Sequence, residues 1–149
     1  MKATSIHLAA AALGIALFGC GSMNPFEHSS TPAVALTSSP DVPAAQGTVK
    51  IDRQPSNNKV MISVRHLARP DQVRSAAPGS QYVVWARPAG STGSDRQPEK
   101  LGVLQLDKDL NGSLTASTAM NEFDIFVTVE PPGMSMQPQG NQVLSASIR

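Results

Sequence analysis

The chain has one cysteine, one tryptophan and one tyrosine in 149 residues, and only 4% of its residues are aromatic. A single cysteine excludes a disulfide within the chain, whatever the compartment. Histidine is almost as scarce. His28 falls in a polar N-terminal stretch, so a serine–histidine relay in the remainder would have to rest on His66 alone, and no enzyme is expected. Charge is low, 15% of residues, and nearly balanced at a formal +1. That excludes the basic excess expected of a nucleic-acid or anionic-membrane binder. The small cluster Arg65, His66, Arg69 and Arg74 reads as a solvated loop edge. A long apolar run is also missing. Leu8–Phe18 (LAAAALGIALF) is unbroken but short, since a membrane-spanning helix needs roughly 20 residues.

What is there begins with that short run. Lys2 precedes it and Leu17-Phe18-Gly19-Cys20 closes it, the layout of an export signal. The closing tetrapeptide resembles the lipobox of bacterial lipoproteins. The resemblance implies a signal peptide over 1–19, a lipid thioether on Cys20 and further acylation of the new N-terminus with chains such as palmitate. Several acyl chains hold a protein on a membrane far better than one, because each buried methylene contributes about 0.8 kcal/mol. Glycine rather than aspartate follows the cysteine. By the sorting rule of Gram-negative lipoproteins, that implies the outer membrane, facing the periplasm. Without Lys2 the balance is eleven basic to eleven acidic residues (12 − 1 against 11). Residues 20–46 are rich in Ser, Thr, Pro and Ala without apolar period, which reads as a lipidated flexible tether.

From Gly47 the pattern changes to short alternating runs. These are GTVKID, KVMISVRH, QYVVWARP, KLGVLQLD, GSLTAST, FDIFVTVE and QVLSASI, with Pro, Gly or Asn at most breaks. Seven such runs and no sustained helical period predict an all-β domain over 47–149, an immunoglobulin-like antiparallel β-sandwich of about seven strands. Pro70–Arg74 is expected to form one helical turn. Trp85 is expected to be a packing anchor, as tryptophan often is on the third strand of such sandwiches.

Three stretches invite a chemical reading. Asp107-Lys108-Asp109-Leu110-Asn111-Gly112 matches the first half of a calcium loop, leaving Asp107, Asp109 and Asn111 as weak metal candidates. The second half fails, because Thr118 stands where a bidentate glutamate is needed and the flanks alternate like strands. Asn111-Gly112 reads better as a hairpin turn. Gly133-Met134-Ser135-Met136-Gln137 lacks the last glycine of a nucleophile elbow, and Pro138 and Gly140 prevent the helix that must follow. Met134 and Met136 offer two soft thioethers of the kind that select Cu(I), without a His or Cys beside them. Methionine is equally an ordinary gap filler.

Taken together, the second half has a recognisable order. Tyr82-Val83-Val84-Trp85 is followed by Leu101-Gly102-Val103, then by Phe123-Asp124-Ile125-Phe126-Val127-Thr128-Val129-Glu130-Pro131, Gly133, and Pro138-Gln139-Gly140. This order resembles the extracytoplasmic C-terminal domain of anti-sigma-K factors, well over 80–148 and loosely over 47–79. The resemblance implies a non-enzymatic envelope domain in which Glu130 holds a fixed structural position. Phe123, Ile125, Val127 and Val129 should face inward, and Pro131 and Pro132 should end the strand. Met134 departs from the glycine usual in that turn. Such factors also carry a cytoplasmic sigma-binding domain and a membrane helix. Neither is read in this chain, so no direct sigma-factor contact is expected.

The expected function is sensing or protein binding from a lipid anchor, with no cofactor and no nucleic acid. The expected partner is an envelope protein, held through Pro131, Gly133, Met134, Met136 and Pro138. The alternatives are copper handling by Met134 and Met136, or a purely structural envelope module. The lipobox generates a direct test. Cys20→Ala should move the protein out of the carbonate-resistant membrane fraction, and unchanged retention would remove the lipid assignment.

Overall fold

The computed structural model describes residues 32–91, 97–133 and 136–149. Within them run eight strands. They are β1 (Val34–Ser38), β2 (Gln46–Arg53), β3 (Asn58–Arg65), β4 (Gln81–Pro88), β5 (Glu99–Leu106), β6 (Gly112–Thr118), β7 (Phe123–Glu130) and β8 (Asn141–Ile148). All seven expected runs are strands. The single expected helical turn is a 3-10 turn at Pro70–Gln72 with proline at its start.

The eighth strand corrects the tether boundary. Val34–Ser38 lies inside the stretch read as flexible, yet it pairs with β2 from Val34↔Val49 to Leu36↔Gly47, and with β8 at Thr37↔Ser145 and Ser38↔Leu144. Leu36, Val42 and Ala45 are buried with it. Gly47 makes this possible, since a Cβ there would stand 2.6 Å from Leu36 Cδ1. Only one of the strand's five residues is fully buried, which is why no apolar alternation marks it.

The architecture also differs from the expected sandwich. All neighbours are antiparallel in the order β1-β2-β3-β6-β5-β4-β7-β8, closed into a barrel. Closure follows from two strands that serve both walls. β1 passes from β2 to β8 along its length. β5 pairs with β4 from Glu99 to Leu104, then with β6 at Gln105 and Leu106. Before that switch β5 carries a bulge, where Lys100 and Gly102 face Trp85 and Val84 and Leu101 is left over. Gly102 there has φ +153, a backbone region other residues rarely adopt. Bulges bend strands in this way at barrel corners.

Alternation then sorts the side chains. Val49, Ile51, Val60, Ile62 and Val64 line one wall of the interior; Tyr82, Val84, Ala86, Phe123, Ile125, Val127 and Val129 line the other. The four β7 positions expected to face inward do so. Strand direction alternates strictly, so the loops 39–45, 66–80, 107–111 and 131–140 gather at one barrel end, while Val34 and Arg149 lie at the other. The 66–80 crossover spans the loop end and drives Leu67 and Val73 into the core. Tyr82 ties it down, its hydroxyl donating to the Ala68 carbonyl at 2.9 Å. Burial, with Asp71 nearby, pushes the Tyr82 phenol far above its ordinary range.

Trp85 is fully buried, as expected of a packing anchor, but it points away from the interior. With Val83, Phe126 and half-buried Val103 it forms a second apolar layer on the outer face of β4, β5 and β7. Lys100 Nζ lies 6.0 Å from its ring centroid, and the Arg87 guanidinium 5.2 Å from that of Phe126, within cation–π range. Trp85→Ala should therefore cost about 3–5 kcal/mol, measured by denaturant melts. A loss below about 1 kcal/mol would place the indole in solvent.

Candidate functional site: a buried carboxylate beneath the 131–140 loop

Strand β7 sends every second residue outward, and Phe126, Thr128 and Glu130 therefore share the outer face with Trp85. These positions are buried too, which is why the burial of β7 runs unbroken from Ile125 to Glu130. Trp85 Nε1–H donates to Thr128 Oγ1 at 2.8 Å, and the Thr128 hydroxyl donates to Glu130 Oε1 at 2.5 Å. The Glu130 carboxylate also accepts the backbone N–H groups of Gln139 and Gly140, at 3.1 to 3.2 Å. Glu130 is 0% exposed. A buried carboxyl group is tolerated only when hydrogen-bond partners converge on it, and here they do.

The result is a chain of hydrogen bonds that folds the β7–β8 loop back onto the barrel. Pro131 and Pro132 end the ladder as expected. Gly140 must lie flat on β7, because a Cβ there would stand 1.7 Å from the Val129 carbonyl oxygen. Gln81 Nε2 donates to the Gly133 carbonyl at 3.3 Å and Asn141 Nδ2 to the Arg74 carbonyl at 3.4 Å, tying the loop to its neighbours. Chemically, the arrangement is a lock on a loop. The carboxylate faces hydrogen-bond donors of its own chain.

The expected binding loop is placed unevenly. Pro131 and Gly133 are exposed and Pro138 is half-buried. Met136 is 86% exposed, the one large hydrophobic side chain so exposed among the described residues. Met134 and Ser135 lie outside the described residues, and so does Cys20. The cluster Arg65, His66, Arg69 and Arg74 is exposed along the loop end.

The calcium-like stretch is a hairpin turn, with one correction to its geometry. Asp107 Oδ1 accepts the backbone N–H groups of Asp109 and Asn111 at 2.8 and 2.9 Å. The Asn111 amide above all holds the Asp107 carboxyl below the usual aspartate range. Leu110, not Gly112, takes the left-handed conformation, at φ +61. Gly112 is required for close approach instead: a Cβ would meet Leu104 and Leu106 at 2.9 Å. Asp107 thus serves the turn, and among the described residues no group of three acidic, His or Cys side chains is placed to hold a metal ion.

Sequence reasoning missed Thr128 as a partner of Glu130. The signal lay in their i, i+2 spacing, which puts both on one strand face. It also missed that Trp85, Thr128-Val129-Glu130 and Pro138-Gln139-Gly140, three separated pieces of the family resemblance, meet in one hydrogen-bonded chain.

The site is thus a closed antiparallel barrel whose most specific residues are committed to holding a loop. The chain belongs to the family of anti-sigma-K factor RskA C-terminal domains, whose model matches residues 7–143. The match reaches well upstream of the strands on which the resemblance was read, and the family is not enzymatic. No curated protein and no solved structure matches the chain.

Two substitutions test the lock. Glu130→Gln replaces one acceptor oxygen by a donor facing two N–H groups, and should cost about 1–3 kcal/mol, the usual penalty for unpaired buried polar groups. Gly140→Ala should cost a similar amount, about 1–3 kcal/mol, by overpacking. In Glu130→Gln the indole N–H resonance of Trp85 should also shift. An unchanged melt in both variants would mean that the loop is not held by this network.

Proposed function

We propose that this protein is a lipid-anchored envelope lipoprotein whose barrel binds another envelope protein through its loop end, without catalysis and without direct contact with a sigma factor. The observation that carries the reading is topological. The chain enters the barrel at Val34, at the end opposite the loops 39–45, 66–80, 107–111 and 131–140. A lipid on Cys20 would hold the protein from the entry end and leave the loop end facing away from the membrane, toward other proteins of that compartment.

The loop end is suited to recognition. Seven of the twelve prolines (Pro40, Pro43, Pro70, Pro78, Pro131, Pro132 and Pro138) fall in its loops, which stiffens backbone and reduces the ordering cost of binding. A cleft of about 260 Å³ opens there between the crossover and the β7–β8 loop, lined by Arg74, Ser80, Pro131, Gly140 and Asn141 among others. Met136, in the same β7–β8 loop, is exposed, and methionine adapts to irregular partner surfaces. An indirect role in sigma-factor regulation, through sensing of envelope state, fits the family.

The test is crosslinking in intact envelopes. Replacing both Met134 and Met136 by serine should weaken partner capture while leaving the thermal melt unchanged. Equal capture by a normally folded double variant would exclude the loop as the interface. Micromolar binding of a purified sigma factor to the barrel would overturn the orientation argued above.

A further inference from the structure

The two seams of the barrel are closed very differently. Where β1 is too short to cover β2, the run Lys50–Arg53 carries Lys50, Asp52 and Arg53, and the Arg53 guanidinium donates to the carbonyls of Asn121 at 2.9 Å and Arg149 at 3.4 Å. Charges on an edge are a common protection against pairing with another chain. At the opposite seam β6 itself has none. β6 pairs with β3 along its whole length, Val64↔Gly112 to Asn58↔Thr118, but with β5 only at Ser113 and Gly112. The bulge at Leu101 and Gly102 has by then turned β5 into the other wall.

Strand geometry identifies the backbone groups left over. Asp107 N–H donates to the Asn111 carbonyl at 2.8 Å, so Asn111 directs its backbone toward β5. Alternate residues of a strand direct theirs to the same side, so Ser113, Thr115 and Ser117 do likewise. Ser113 is paired with Gln105. Thr115 and Ser117 face the seam with no strand partner among the described residues. Both side chains are exposed. The run Gly112–Thr118 (GSLTAST) contains no charge and no proline. Side chains meet across the seam at its far end, where the Thr118 hydroxyl donates to Glu99 Oε2 at 2.7 Å, and beside Gly102, where an added Cβ would stand 3.1 Å from Leu114 Cδ1.

We propose that the Thr115–Ser117 edge of β6 is a self-association edge, which pairs antiparallel with the same edge of a second copy of this chain. A two-fold axis at Ala116 places Thr115 opposite Ser117 of the other copy, so each N–H and C=O left at the seam finds a partner. The opposed side chains are then hydroxyls, which are favourable cross-strand neighbours. No like charges meet, and that self-complementarity favours a second copy over a charged partner segment. The wall β1-β2-β3-β6 continues into its symmetry mate, an isologous dimer.

The full chain in detergent, examined by sedimentation over a concentration series, should reach twice the monomer mass. Thr115→Lys combined with Ser117→Lys should return it to monomer with an unchanged melt. A separate variant, Thr115→Cys combined with Ser117→Cys, should give a crosslinked dimer on mild oxidation, because hydrogen-bonded antiparallel pairs stand about 5.5 Å apart, inside disulfide range. The parent chain, carrying only Cys20, should not. A monomeric wild type at every concentration overturns the proposal, as does a folded lysine variant that still dimerises. Should the lysine variant unfold, the cysteine pair decides: absence of crosslinking beyond that of the parent chain overturns the proposal.

Discussion

A carboxylate with no solvent exposure organises the outer face of this barrel. Glu130 is placed there by strand alternation, and burial demands donors for it. Thr128 supplies one from two residues earlier on the same face, and the Gln139 and Gly140 amides supply others from across the loop. Satisfying the carboxyl oxygens therefore fixes where the chain returns after Pro131, and so where β8 begins. It also orients Thr128 to accept the indole N–H of Trp85. The outer apolar layer, the loop and the start of the last strand are consequences of one buried ionisable group.

Two other glycine contacts show the same economy of space. Gly47 lets Leu36 lie against β2, and Gly112 lets Leu104 and Leu106 close over the start of β6. A barrel of strands this short has little apolar area per strand. It therefore relies on close backbone approach at its seams and on the crossover residues Leu67 and Val73 to seal its mouth. The second layer around Trp85 and Phe126 adds burial that a single interior of this size does not provide.

The seven alternating runs were legible in the sequence because each has one buried face with a period of two. β1 was not, since Val34–Ser38 shows a single buried position between prolines, and its second half pairs with β8, far along the chain. Barrel closure was hidden for a related reason. It depends on β1 and β5 changing partners midway, and the bulge at Leu101-Gly102 has no signature beyond one glycine in a strand. Trp85 was readable as buried but not as outward-facing, because β4 is buried on both faces from Tyr82 to Ala86 and gives no alternation to assign sides. Of the site, Glu130 and the proline stop were legible through the family pattern. The donors around the carboxylate come from the path of the loop, which no local pattern encodes.

The strand through which the chain enters is also the strand that shuts the barrel. Any pull on the segment upstream of Val34 is delivered to β1 from its free end. The load meets the short ladder to β2 first and the two positions shared with β8 last. Tension on that segment would act on β1 before reaching the wall that carries Trp85 and Glu130.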